Sequence, residues 1–160
     1  MIYLWVSPRN AETAERLRNA YQSVHIGRDN QDIADNCRLL CLAVRPQVAE
    51  EVLSGLRLSG EHHVLSFIAT WRHDRLSALM PEVTHIVRVA PLPMIEYAIG
   101  STIVHPDDPL ASEMFASLGT VIRMRSTNDA SQSEAVEGVI WGIGTRQRRS
   151  TGMRQGSKAS

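Results

Sequence analysis

Short β-prone apolar runs alternate with amphipathic helical stretches along most of this chain, and no other feature limits its fold as strongly. Residues 2–6 are an apolar run ended by Ser7-Pro8. Ser7 suits an N-cap and Pro8 the first helical turn. Ala11, Ala14, Leu17 and Tyr21 then recur at helical spacing. Residues 24–26 predict a second strand, followed by a polar turn through Asn30 and a brief helix over 32–36. Residues 38–44 are almost continuously apolar, as in a parallel strand covered on both faces. Val48, Val52, Leu53 and Leu56 supply the next helix, and residues 62–69 the next strand. Asp74 is placed to cap a short helix. A strand over 84–89 follows, ended by Pro91-Leu92-Pro93, and another over 100–104. Asp108-Pro109 opens a helix expected to turn Leu110, Met114, Phe115 and Leu118 inward, with Gly119 as its stop. Residues 120–124 form the last expected strand.

Strands separated by helical stretches of about 10–15 residues indicate βαβ units. The expected fold is therefore α/β and Rossmann-like, with a mainly parallel sheet and helices on both faces. It occupies residues 1–125. Residues 126–160 are expected to hold one residual helix over 135–143 and a basic, disordered tail with Arg146, Arg148, Arg149, Arg154 and Lys158. Hydrophobic residues at 43% and charged residues at 21% fit a globular chain. Lys+Arg and Asp+Glu are both 17, so net charge offers no attraction to nucleic acid or to an anionic membrane. No apolar run approaches the ~18 residues of a membrane span, and the opening run is too short for a secretory signal, which makes the cytoplasm the expected location. Cys37 and Cys41 read as small apolar core residues. His62-His63, on opposite faces of a strand, make a poor metal site, and no metal is expected.

The sequence contains no Gly-x-Gly-x-x-Gly, Walker loop or nucleophile elbow. Open α/β sheets bind ligands at the carboxyl ends of their strands, which directs attention to three segments. Ser7-Pro8-Arg9-Asn10 places a hydroxyl and a guanidinium at a helix entrance. That arrangement suits a phosphate and equally suits a capped helix with a solvated Arg. Ala43-Val44-Arg45-Pro46-Gln47 is a strand–Pro–helix junction that exposes backbone groups. Arg88-Val89-Ala90-Pro91-Leu92-Pro93 is a strand end with a stiff turn.

In order and spacing, these segments resemble the N-terminal NAD(P)-binding domain of the pyrroline-5-carboxylate reductase family, over roughly residues 2–125. Leu42-Ala43-Val44-Arg45-Pro46-Gln47 is similar to the family's Leu-Ala-Val-Lys-Pro-Gln, and Val6-Ser7-Pro8-Arg9 to the segment after its second strand. The resemblance implies an NADP-dependent oxidoreductase of proline biosynthesis, with NAD as the alternative cofactor. Such an enzyme reduces a small cyclic imine, or a related carbonyl compound, by hydride transfer. It assigns Ser7 and Arg9, with the adjoining Asn10, to the 2′-phosphate end and Asn30 to the adenosine. Ala43, Val44, Arg45 and Pro46 would lie along the cofactor, and Ala69 near the nicotinamide. Thr70 stands where the family has Gly, and Leu92-Pro93 where it has Asn-Thr. Leu cannot hydrogen-bond a substrate, so no catalytic residue is assigned.

The resemblance also implies a domain truncated at its N-terminus, with the family's first strand and Gly-rich turn falling before Met1 and its dimerising domain after residue 125. In the strand order 3-2-1-4-5-6 that first strand is central. Without it, the strands at 2–6 and 38–44 lose their shared neighbour, and self-association through the exposed edges is expected. The alternatives to an active reductase are a non-catalytic nucleotide-binding or interaction module and an inactive gene fragment.

Overall fold

The computed structural model describes residues 3–92 and 95–124, in two units that divide between Ile86 and Val87. The expected helix over 135–143 and the basic tail lie outside these residues. The first unit runs β1 (Leu4–Val6), α1 (Ala11–Ala20), β2 (Val24–Ile26), α2 (Asn30–Asn36), β3 (Leu39–Leu42), α3 (Pro46–Ser54), β4 (His63–Ser66) and α4 (His73–Leu79). β1 pairs in parallel with β2, Trp5 opposite His25. β3 pairs in parallel with β4, Leu40 opposite Val64.

Local chemistry sets the helix boundaries, not always where expected. α1 starts at Ala11, because the Asn10 side chain, not Ser7, accepts the free Thr13 N–H at 3.0 Å. Ser7 is instead engaged with Asn30, 23 residues away. The Asp29 carboxylate caps α2 by accepting the Asp32 N–H at 2.8 Å. Pro46 opens α3, where a missing N–H costs nothing. Asp74 does not cap α4: Arg72 holds the cap position without a side-chain bond, and Asp74 lies in the first turn.

The core of this unit gathers Leu40 and Leu42 of β3, Ala34 of α2, Ala49 and Leu53 of α3, Val64 of β4 and Leu76 of α4. Strand side chains alternate between faces, so Leu40 and Leu42 meet this cluster while Cys41 turns away and is exposed. The expectation of a β3 covered on both faces is corrected accordingly. Cys37 packs half-buried against the cluster as a core residue would, whereas Cys41 does not; both thiols are free.

β1–β2 remains a two-stranded sheet of its own, unpaired with β3–β4. In a parallel ladder, a residue's N–H and C=O point to the same side, and successive residues alternate. Leu4 and Val6 bond toward the β2 side, through Ser23 O and Gly27 N. Trp5 therefore directs its amide to the other edge. By the same alternation Leu42 bonds toward Phe67, and Leu39 and Cys41 point away from β4. No strand among the described residues pairs with either of these edges.

The second unit begins within β5 (His85–Pro91) and continues through a short 3-10 turn, β6 (Ser101–His105), α5 (Pro109–Ala116) and β7 (Thr120–Arg123). β6 is antiparallel to β5 and β7 parallel to β6. Pro91 does not stop β5 short but forms its last paired residue, opposite Thr102, a strand-end position where no donor is needed. Asp108 caps α5, accepting the Ala111 N–H at 2.7 Å. The expected inward stripe is displaced. Leu110 and Met114 are each 41% exposed and Leu118 39%, while Ala111 and Ser112 are fully buried. α5 packs on β6 and β7, and small side chains permit that close approach. The helix ends at Ala116 with Ser117 as its C-cap, before the expected stop at Gly119. Gly119 instead makes the bend into β7, with φ +143° and a Cβ position 2.6 Å from the Gly100 carbonyl oxygen.

Candidate functional site

Because β1 and β2 are parallel, their carboxyl ends open at the same end of the sheet. β1 delivers Ser7-Pro8-Arg9 there, and β2 delivers Arg28-Asp29-Asn30. With Glu51 and Val52 of α3, these residues line a cavity of about 340 Å³. The two strand ends are tied by the Ser7 hydroxyl, which donates to Asn30 Oδ1 at 2.9 Å. The same hydroxyl oxygen accepts the Arg9 N–H at 3.4 Å.

Gly27 lets α2 pack closely beneath this rim, since a Cβ there would meet Ile33 Cγ1 at 2.7 Å. Asp32, in the first turn of α2, reaches back to Arg28 twice. One carboxylate oxygen accepts the Arg28 N–H at 2.9 Å and the other its Nη2 at 2.8 Å. Hydrogen bonding from Arg28 holds the Asp32 carboxyl below the usual carboxylate range, and Asp32 raises the Arg28 guanidinium in turn. Gln31 fixes the far side of α2, accepting the Arg57 N–H at 2.8 Å. The cavity thus has two guanidinium groups, an amide and a hydroxyl, faced by the carboxylates of Asp29 and Glu51. This set can bind an anionic, hydroxyl-bearing ligand. Among the described residues no three His, Cys, Asp or Glu side chains converge as a metal site.

Of the residues singled out from the sequence, Ser7, Arg9 and Asn30 come together here. The Asn10 side chain is used as the α1 cap. Ala43 and Val44 leave the end of β3, and Arg45 and Pro46 form the entrance of α3; none of the four lines the cavity. Ala69 sits in the turn after β4, also apart from it. Arg28, Asp29, Glu51 and Val52 were not anticipated. The only signal for Arg28 was a cation directly before Asp-Asn in the turn after a strand.

Residues 3–70 match the family model described as NADP oxidoreductase, coenzyme F420-dependent. That span includes every residue lining the cavity. No curated protein matches the sequence. Among solved structures, a pyrroline-5-carboxylate reductase from Coxiella burnetii superposes with TM-score 0.66 at 18% identity, covering 96% of this chain and 71% of that one. Pyrroline carboxylate reductase from Plasmodium falciparum, with NADP bound, gives 0.60 at 17%, covering 93% and 65%. A reductive aminase from Aspergillus terreus, in complex with NADPH4, cyclohexanone and allyl amine, gives 0.69 at 16%, covering 91% and 54%. The chain thus spans between about half and three-quarters of the length of these structures. Among the described residues no helix is long and apolar enough to cross a membrane. The chain has the Rossmann-like fold of the pyrroline-5-carboxylate reductases, and its residues 3–70 match an NADP oxidoreductase family.

Proposed function

We propose that this chain is the NADP-binding part of a cytoplasmic oxidoreductase of the pyrroline-5-carboxylate reductase type, with residues 1–125 as the nucleotide-binding domain. The observation that carries this reading is the pairing of Arg9 with the Ser7–Asn30 bond at the adjoining ends of β1 and β2. A guanidinium beside a hydroxyl suits a phosphate monoester, through charge-assisted hydrogen bonds. In this reading Ser7 and Arg9 hold the 2′-phosphate of NADP, and Asn30 lies by the adenosine ribose. Asn10 supports the Arg9 turn by capping α1, while Ala43 to Pro46 and Ala69 line the path toward the nicotinamide. NADPH, when bound, supplies a hydride to a small cyclic imine, as in proline biosynthesis, or to a related carbonyl compound. The edges of β1 and β3, with no strand partner among the described residues, further suit self-association.

Titration with NADPH, followed by tryptophan fluorescence, tests the reading. Trp5 lies half-buried in β1, two residues before Ser7, and is expected to report saturable binding. Absence of binding at millimolar NADPH would overturn it. Arg9→Ala is expected to weaken NADPH by about tenfold, roughly 1.4 kcal/mol, and NADH much less. Sedimentation velocity checks the association: a Trp5→Pro chain, lacking the outward amide, should dimerise less than the unchanged chain. A unchanged chain that stays monomeric at all concentrations would remove this part.

A further inference from the structure

We infer that Arg28 is a second anion-binding residue of this pocket, positioned by Asp32, and that it discriminates nucleotides carrying a ribose phosphomonoester from those without one. The inference rests on the reading above, that the pocket takes the adenosine end of a dinucleotide. Arg28 lines the same cavity as Arg9 but leaves β2 rather than β1. Its side chain is 86% exposed, so burial does not hold it in place. Asp32 does, through the backbone N–H and the guanidinium Nη2. Asp32 is itself well anchored: its side chain is only 13% exposed, and its N–H is bonded to the Asp29 carboxylate. A guanidinium held through one nitrogen keeps its remaining N–H donors for a second oxyanion. Holding the group in advance lowers the entropy lost on binding.

The charges around the cavity give this arginine its leverage. Among the residues lining the cavity Arg9 and Arg28 are the two cations, set against the carboxylates of Asp29 and Glu51, with the Asp32 carboxylate bonded to Arg28. With Arg28 removed, Arg9 would be the one cation left in that lining, facing three carboxylates, and a phosphate dianion would lose one of its two cationic partners. A ligand without that phosphate would be affected far less. Arg28 is thus a specificity determinant and Asp32 its positioning residue.

Binding of NADPH and NADH to the full chain and to Arg28→Ala, Arg28→Lys and Asp32→Asn tests this. Because the Arg28 side chain is exposed, its replacement should leave folding intact. Arg28→Ala is expected to weaken NADPH by about tenfold or more while NADH changes less than about twofold. Arg28→Lys should restore part of the loss, and Asp32→Asn should cost NADPH less than Arg28→Ala does. An unchanged NADPH-to-NADH ratio in Arg28→Ala, with the unaltered chain still binding NADPH, overturns the inference and leaves the functional reading standing. Equal loss of both nucleotides also overturns it, by placing Arg28 on a part they share. If the unaltered chain binds neither nucleotide, the functional reading itself falls and this inference with it.

Discussion

The first unit contains two parallel strand pairs built from similar residues that meet opposite fates. β3 and β4 place Leu40, Leu42 and Val64 in a core shared with three helices. β1 and β2, equally apolar in sequence, contribute no residue to that cluster. Leu4 is 51% exposed, while Val24 of β2 is buried, as is Ala14 of α1, the helix that packs on β2. The difference teaches that an apolar strand is buried by what its neighbours supply, not by its own composition. A pair with helices packed on its face becomes core. A two-stranded pair on which α1 packs, with no further strand beside it among the described residues, remains half-wetted.

The strongest test of this contrast is truncation of one leucine on each side. Leu53→Ala, in α3 beneath β3, is expected to cost about 2–5 kcal/mol in urea denaturation. Leu4→Ala, in β1, should cost about 0.5 kcal/mol or less. Comparable losses would mean that β1 is as firmly packed as the core, and the contrast would collapse. A finer measure is amide hydrogen exchange. The amides of β2 should exchange about tenfold or more faster than those of β4, corresponding to an opening free energy roughly 1.4 kcal/mol lower. The reverse order would show that β1–β2 is stabilised by something other than its own ladder.

Much of the architecture was legible because periodicity is a local record. The strand–helix alternation, the Asp108 cap and the end of α5 shortly before Gly119 all appear in the sequence near where the structure has them. What failed depended on partners. Leu110, Met114 and Leu118 have the spacing of a buried stripe, yet Ala111 and Ser112 took the inward positions because α5 lies close to β6 and β7. Cys41 sits in a run apolar enough for burial on both faces, but only the Leu40–Leu42 side meets the core helices. Ser7 was legible as a strand-end residue of the candidate site and misplaced as a cap, since a cap is decided by which side chain reaches an N–H, and Asn10 does so. Arg28 stayed hidden for a related reason: its value comes from the end of β2 lying beside the end of β1, a proximity that spacing does not encode.

The Ser7–Asn30 bond carries one further consequence, best seen by counting protons. A serine hydroxyl has a single hydrogen to donate, and here it is given to an amide oxygen across the mouth of the cavity. A visiting oxygen can claim that hydrogen only by being the better acceptor. Ionised oxygens form hydrogen bonds roughly twice as strong as neutral ones, whereas a water or a sugar hydroxyl offers no such advantage over the amide. The bond therefore acts as a threshold: neutral guests find the hydroxyl occupied, and a phosphate oxygen can turn it.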